Sequence, residues 1–232
     1  MAKYIVETAI LALGLSVGGS FIKIGLESLT NQNRVVNVKG LAEMEVEANT
    51  VTWPLAYNVL GNNLPELYDD MQKNNKLIID FLKKNGIKNE EISISAPNVV
   101  DNDADRYSSN KQTYRYNGTS IITVTSEQVS LVRKLINEQT ELLKQGIVII
   151  NDYRFGVSYD YTRLNDIKPK MIETATKNAR AAAEKFAKDS DSKLGKIKNA
   201  SQGQFSISDR DMNTPHIKKV RVVTTIDYTL ND

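Results

Sequence analysis

A single histidine, His216, and no cysteine in 232 residues leave little from which to build the common catalytic centres. Without cysteine there are no disulfides, thiolate metal sites or cysteine nucleophiles. One histidine excludes a multi-histidine zinc centre within one chain, and a Ser-His-Asp relay has only His216 to run through. Gly14-Leu15-Ser16-Val17-Gly18 matches a nucleophile elbow. That motif needs a strand, turn and helix on a folded sheet, and here it lies in an apolar N-terminal stretch, so it reads as coincidence. Asp101, Asp103 and Asp105 are spaced like the first ligands of a calcium loop, but Arg106 stands where glycine is needed and Gln112 where a bidentate glutamate is needed. A solvated loop is the better reading. His216 precedes Lys218, Lys219 and Arg221, a group able to touch phosphates or anionic headgroups. Lys219 and Arg221 fall on the outward face of an alternating strand, where solvated charge is normal. Tyr107, Tyr114, Tyr116, Tyr153, Tyr159 and Tyr161 crowd the middle of the chain and are candidates for a groove or an interface, although tyrosine is also a good strand former. The expected catalytic, cofactor-binding and metal-ligating residues are therefore none. A carboxylate-pair hydrolase stays open, because such pairs have no spacing signature.

The overall charge is close to balanced, with 30 Lys+Arg against 28 Asp+Glu, and 41% hydrophobic residues supply a core without staples. The N-terminus has a different character: residues 8–22 carry no charge, and Tyr4 to Leu26 is interrupted only by Glu7 and Lys23. As a helix this stretch would be about 34 Å long at ~1.5 Å per residue, enough for a bilayer core. A signal peptide cleaved near Val17-Gly18-Gly19 competes with an uncleaved signal anchor, and a buried soluble helix is the bland alternative. Phe21, Ile22 and Ile24 beyond the cleavage point favour the anchor, with Glu7 and Lys23 snorkelling at its ends. Residues 1–30 hold two basic and two acidic side chains, so the remainder keeps the net charge of +2 and does not advertise nucleic acid as a partner.

Alternation from Val36 to Ala48 predicts a long half-buried strand, and Val51 to Val59 its hairpin partner, with Pro54 at an edge or bulge. Pro65 to Gly86 predicts a helix. Strands follow at Ile92–Ala96 and Tyr114–Thr125, then a helix that Ser126 caps and Gly146 ends. Ile147 to Tyr161 alternates over fifteen residues and reads as a central strand. Asp166 to Lys188 predicts a third helix with an alanine stripe and Phe186 on one face, followed by strands near Ile197–Ile207 and Val220–Tyr228. The stripe suits an intramolecular core better than an oligomer contact. The fold class expected is α+β, a mixed or antiparallel sheet with three main helices packed on it, preceded by an N-terminal hydrophobic helix. A weak echo between Leu82–Ile87 and Leu143–Ile147 suggests two related halves.

The opening strand with Val38-Lys39-Gly40, the Leu82 to Ile94 passage, Tyr116-Asn117-Gly118, and above all Ala175 to Ile207 with Leu194-Gly195-Lys196-Ile197 and Ser201-Gln202-Gly203-Gln204-Phe205 resemble the SIMPL-domain family, which includes bacterial periplasmic immunogenic proteins. The resemblance runs from about residue 34 to residue 230. Asp189-Ser190-Asp191-Ser192 departs from it, since relatives tend to have a glycine there. It implies an α+β domain in the bacterial envelope, ring or channel-like oligomers in some members, and no established enzymatic activity. The expected organisation is a signal anchor or signal peptide over 1–30 and a SIMPL-like domain over 31–232. The expected protein is a non-enzymatic periplasmic or membrane-anchored homo-oligomer without cofactors, held at the inner membrane through residues 4–26. The alternative is a monomeric module that binds a small ligand or peptide in a tyrosine-lined groove.

Overall fold

A computed structural model describes residues 12–23, 25, 34–104 and 113–231. The elements run α1 (residues 12–23), β1 (Val35–Glu47), β2 (Thr50–Gly61), α2 (Leu64–Lys84), β3 (Ile92–Ile94), β4 (Asn98–Asp101), β5 (Tyr116–Ser126), α3 (Val129–Glu138), α4 (Thr140–Lys144), β6 (Ser158–Asp160), α5 (Leu164–Asp189), β7 (Lys193–Gln202), β8 (Ser206–Asp209) and β9 (Ile217–Asn231). They form an α+β chain of two compact units. Unit 1 takes the chain up to Met44, Asn165–Ile207 and the stretch from Val220; unit 2 takes Glu45–Leu164 and Ser208–Lys219. These are not sequential halves. The echoed passages both lie in unit 2 and share one helix stop: Gly86 (φ 94°) and Gly146 (φ 83°) adopt the left-handed conformation that glycine favours. The Ile87 and Ile147 N–H groups then bond back to the Leu82 and Leu142 carbonyls at 3.1 and 3.0 Å.

In unit 2 the sheet order is β3-β5-β2-β6, with β4 also on β5. β2 and β5 pair antiparallel without a break from Val51 opposite Ser126 to Gly61 opposite Tyr116. Their alternation puts Val51, Trp53, Leu55, Ile122 and Val124 in the core, where α2 and α3 lay Ile78, Leu82, Val132 and Leu135 over them. Helix α2 is well specified at both ends. Asn63 accepts the Glu66 N–H, Pro65 stands in the first turn, and Lys83 and Lys84 occupy the last. One buried polar knot fastens α2 to the sheet: Asn75 Oδ1 accepts from the Tyr57 hydroxyl at 2.7 Å and from Ser120 at 2.9 Å. Pro54 lies beyond the three-residue β6 ladder, which reaches only Thr50–Thr52, in keeping with its expected edge position.

Unit 1 is built on the order β1-β9-β7, with β8 also paired to β9. Helix α5 covers one face. Its buried residues are Met171, Ala175, Ala179, Ala183 and Ala187, and they meet β1 at Gly40 so closely that a Cβ there would stand 1.8 Å from the Ala175 carbonyl oxygen. The alanine stripe is thus intramolecular core. Phe186, expected on that face, is exposed instead.

Three other expectations are corrected. β1 and β2 are not a hairpin, because β1 pairs with β9 while β2 pairs with β5 and β6. The turn between them is spent on other partners: the Ala48 N–H goes to the His216 carbonyl, the Asn49 N–H to the Asp160 carbonyl, and the Asn49 side chain to Thr162. The stretch 147–161 is not a central strand. Among the described residues it pairs with β2 only at an isolated bridge from Ile149 to Tyr57 and through the edge strand β6. Between these Asp152 accepts the Arg154 N–H and winds Tyr153–Phe155 into one tight turn. Ser126 does not cap α3, whose N-cap position is Gln128. As for the expected N-terminal anchor, among the described residues no helix is long and apolar enough to cross a membrane. Helix α1 exposes Leu13, Leu15, Val17, Phe21 and Ile22; residues 4–11, 24 and 26 of the expected anchor lie outside the described residues.

Candidate functional site

A cleft of about 320 Å³ in unit 2 is lined by Glu47 at the end of β1, by Glu127 just before α3, by Val129, Ser130 and Arg133 in its first two turns, and by His216 in the loop before β9. The Ala48 N–H holds that loop by its bond to the His216 carbonyl at 2.8 Å. Asp211 shapes the rest of it, accepting the N–H groups of Asn213 and Thr214 at 2.8 Å each, the Thr214 hydroxyl and Arg210. The Thr214 hydroxyl, then Arg210, hold the Asp211 carboxyl down at about 2. Beside α3, Ser126 Oγ accepts the Gln128 N–H at 3.0 Å and donates to Glu91 at 2.5 Å, which turns the chain from β5 into the helix. Gln128 makes no capping bond. The first-turn amides of Val129 and Ser130 therefore stand at the cleft wall with the positive end of the helix dipole.

The His216 ring meets the Tyr159 ring edge-on, with centroids 6.1 Å apart and planes at 65°. Burial lowers its pKa from the ordinary histidine value, and Arg133 and Arg210 push the same way against Glu47 and Asp211. The imidazole is accordingly neutral at pH 7. Among the described residues its ring nitrogens make no hydrogen bond, so Ser130 and His216 share the cleft without forming a nucleophile relay.

The other residues singled out by sequence are dispersed. Asp101 is engaged by Arg115, at 3.1 Å from Nε and 2.9 Å from a terminal guanidinium nitrogen, and this pairing lowers its pKa. Asp103 stands 3.6 Å from the same guanidinium; Asp105, Arg106 and Gln112 lie outside the described residues. Among the described residues no three His, Asp or Glu side chains cluster for a metal. In the basic group, Lys218 is buried and paired with Asp209, and Arg221 sits 3.5 Å from Glu43. Ser16 of the elbow-like motif returns its hydroxyl to the Ala12 carbonyl within α1. The tyrosines do not share one groove. Tyr116 stands opposite Gly61 and Tyr159 opposite Val51, at the two ends of β2, about 33 Å apart at ~3.3 Å per residue. Tyr153 is 93% exposed, and Tyr107 is outside the described residues. A second cleft, almost wholly apolar, lies along α2 between Leu64, Leu67, Tyr68, Met71 and Val99.

Sequence reasoning named His216 but missed its companions Glu47, Glu127 and Arg133. They come from separate segments and share no local motif. A search of curated proteins finds no match. The family model described as SIMPL, protein of unknown function (DUF541), matches residues 36–226. That span holds the β1 face, both glycine-stopped helices, the alanine-striped α5 and most of β9, and the chain belongs to the SIMPL family.

Proposed function

We propose that this SIMPL protein is a non-enzymatic periplasmic component that works by self-assembly, one copy's sheet edge against the next. The observation that carries the reading is the pair of open edges in the order β1-β9-β7. β1 and β7 are thirteen and ten residues long, and each has β9 as its one ladder partner among the described residues. A long unpaired edge is a template for another strand. The two edges also differ in charge. β1 carries Glu43, Glu45 and Glu47 with one lysine, Lys39, whereas β7 carries Lys193, Lys196 and Lys198. Unlike edges join head to tail, which closes into a ring when the rotation allows. Family membership supports the periplasmic location, and the ring assemblies implied by the resemblance are of this heterologous kind. Retention at the inner membrane through residues 4–26 is part of the same reading, supported by the uncharged run over 8–22.

Light scattering on the full chain in mild detergent, over a concentration series, tests the assembly. A discrete multiple of the 26.0 kDa chain is expected, falling to the monomer when Lys193, Lys196 and Lys198 are changed together to glutamate. A monomer at every concentration overturns the reading, as does an assembly indifferent to those charges.

A further inference from the structure

The cleft around His216 holds both signs of charge, and among the described residues no ion pair joins them to one another. Arg133 makes no ion pair or hydrogen bond among the described residues, although it lines the cleft and its charge is felt by both His216 and Tyr159. Glu47, on the wall formed by β1, likewise makes none. Glu127 has one weak contact, to Arg163 at 3.9 Å, with its side chain 77% exposed. Charged residues near one another commonly settle into pairs, as Arg210 does with Asp211 at 3.1 Å only a few residues from His216. Here Arg133 and the open end of α3 line the same cleft as Glu47 and Glu127 with no ion pair between them among the described residues.

Each simple ligand class leaves something unanswered. An anion would suit Arg133 and the Val129 and Ser130 amides, but it would share the volume with Glu47 and Glu127. A cation would suit the glutamates and meet Arg133 and the positive end of the helix. A neutral apolar molecule would desolvate all of these charges without compensation. A molecule with a carboxylate at one end and an ammonium at the other answers both signs of charge. The volume, about 320 Å³, lies at the lower end of the range for small-molecule sites. We propose that this cleft binds a small zwitterion of free amino acid size, its carboxylate on Arg133 and the first turn of α3 and its ammonium between Glu47 and Glu127. The His216 imidazole lines the same cleft with its ring edge-on to Tyr159, and in its neutral form offers one donor and one acceptor. Binding of this kind is independent of self-assembly and adds a ligand to the proposed role.

The test is a titration of the full ¹⁵N-labelled chain with each of the twenty proteinogenic L-amino acids, read at the Val129 and Ser130 amides and the His216 ring. At least one is expected to give saturable shifts confined to this cleft. For that binder, the N-acetyl derivative and the carboxamide derivative should each bind at least tenfold more weakly, since each removes one charge. Arg133→Gln, at an exposed position of α3, should weaken binding at least tenfold while amides elsewhere keep their shifts. Glu47→Gln with Glu127→Gln should do the same. No saturation by any amino acid overturns the proposal. Binding that survives N-acetylation makes the site a plain anion site, and binding that survives Arg133→Gln places the ligand elsewhere; either result also overturns it.

Discussion

Replacing Gly40 by alanine tests whether the β1–α5 contact is as close as described. The new Cβ would lie 1.8 Å from the Ala175 carbonyl oxygen, 2.6 Å from the Ala179 nitrogen and 2.8 Å from the Ala179 Cβ. Ordinary carbon–oxygen approaches are near ~3.3 Å, so α5 must retreat by about 1.5 Å. Two of the three opposing atoms are helix backbone, and no rotamer change relieves them. A retreat of that size opens a gap along Ala175, Ala179 and Ala183, all fully buried, and a radial gap of even ~1 Å forfeits up to about half of the dispersion energy of the lining atoms. Overpacking in cores costs ~1–3 kcal/mol; with backbone on the receiving side we expect about 3–5 kcal/mol. For a chain of this size that lowers Tm by roughly 6–20 °C. Urea denaturation followed by far-ultraviolet circular dichroism, with the slope m unchanged, measures the loss. A destabilisation below about 1 kcal/mol would refute the packing argument. Ala179→Gly added to Gly40→Ala is a sharper control. It removes only the farthest of the three opposing atoms and weakens a helix interior, so the double variant should be no more stable than the single one. Recovery of most of the lost stability would show that the side-chain contact, not the carbonyl, sets the limit.

Asn75→Ala strips the acceptor from the Ser120 hydroxyl at 2.9 Å and one of two from the Tyr57 hydroxyl, which keeps the Met71 carbonyl at 2.7 Å, and should lower stability by about 1–3 kcal/mol in the same assay; a loss within ~0.5 kcal/mol means that the knot contributes little. Asp211 has a folded-state pKa of about 2, below the ordinary aspartate value. Its contribution to the His216 loop is therefore fully present above pH ~4 and lost as pH falls through about 2. Carbon-detected titration of the Asp211 carboxyl should give a midpoint near 2, and a midpoint in the ordinary range would mean that the Thr214 and Arg210 contacts do not persist in solution.

Much of the secondary structure was legible because it is enforced by local period. β1, β2, β5 and β9 alternate, α2 and α5 carry apolar stripes, and Gly86 and Gly146 stop their helices as composition predicts. Pairing was not legible. Ala48-Asn49 looks like a hairpin turn until their N–H groups are seen bonded to the His216 and Asp160 carbonyls. Alternation over 147–161 describes which side chains turn inward, and Ile147 and Tyr159 are indeed buried; it is silent on whether a neighbouring strand exists to accept the backbone. The cleft was the least visible part. Arg133 and Glu47 sit in segments that read as an exposed helix face and an exposed strand face, and only the folded chain sets them on the walls of one cavity.

The order β1-β9-β7 has a kinetic consequence. The central strand of unit 1 is the last of the nine described strands to be synthesised, while its neighbour β1 is the first of them. The side-chain bond from Asn37 to Asp227 joins residues 190 positions apart. Contacts of such long sequence separation form late, because the loop-closure entropy must be met before any pairing energy is returned. β1 therefore waits without its ladder partner through most of chain elongation, and a chain halted before residue 217 has no β9 to complete the sheet. Unit 2, drawn mainly from the continuous stretch Glu45–Leu164, needs no such delay for its β2–β5 ladder. Two rates of hydrogen-exchange protection during refolding, early at β2 and β5 and late at β1 and β9, are the kinetic signature that this strand order writes into the protein.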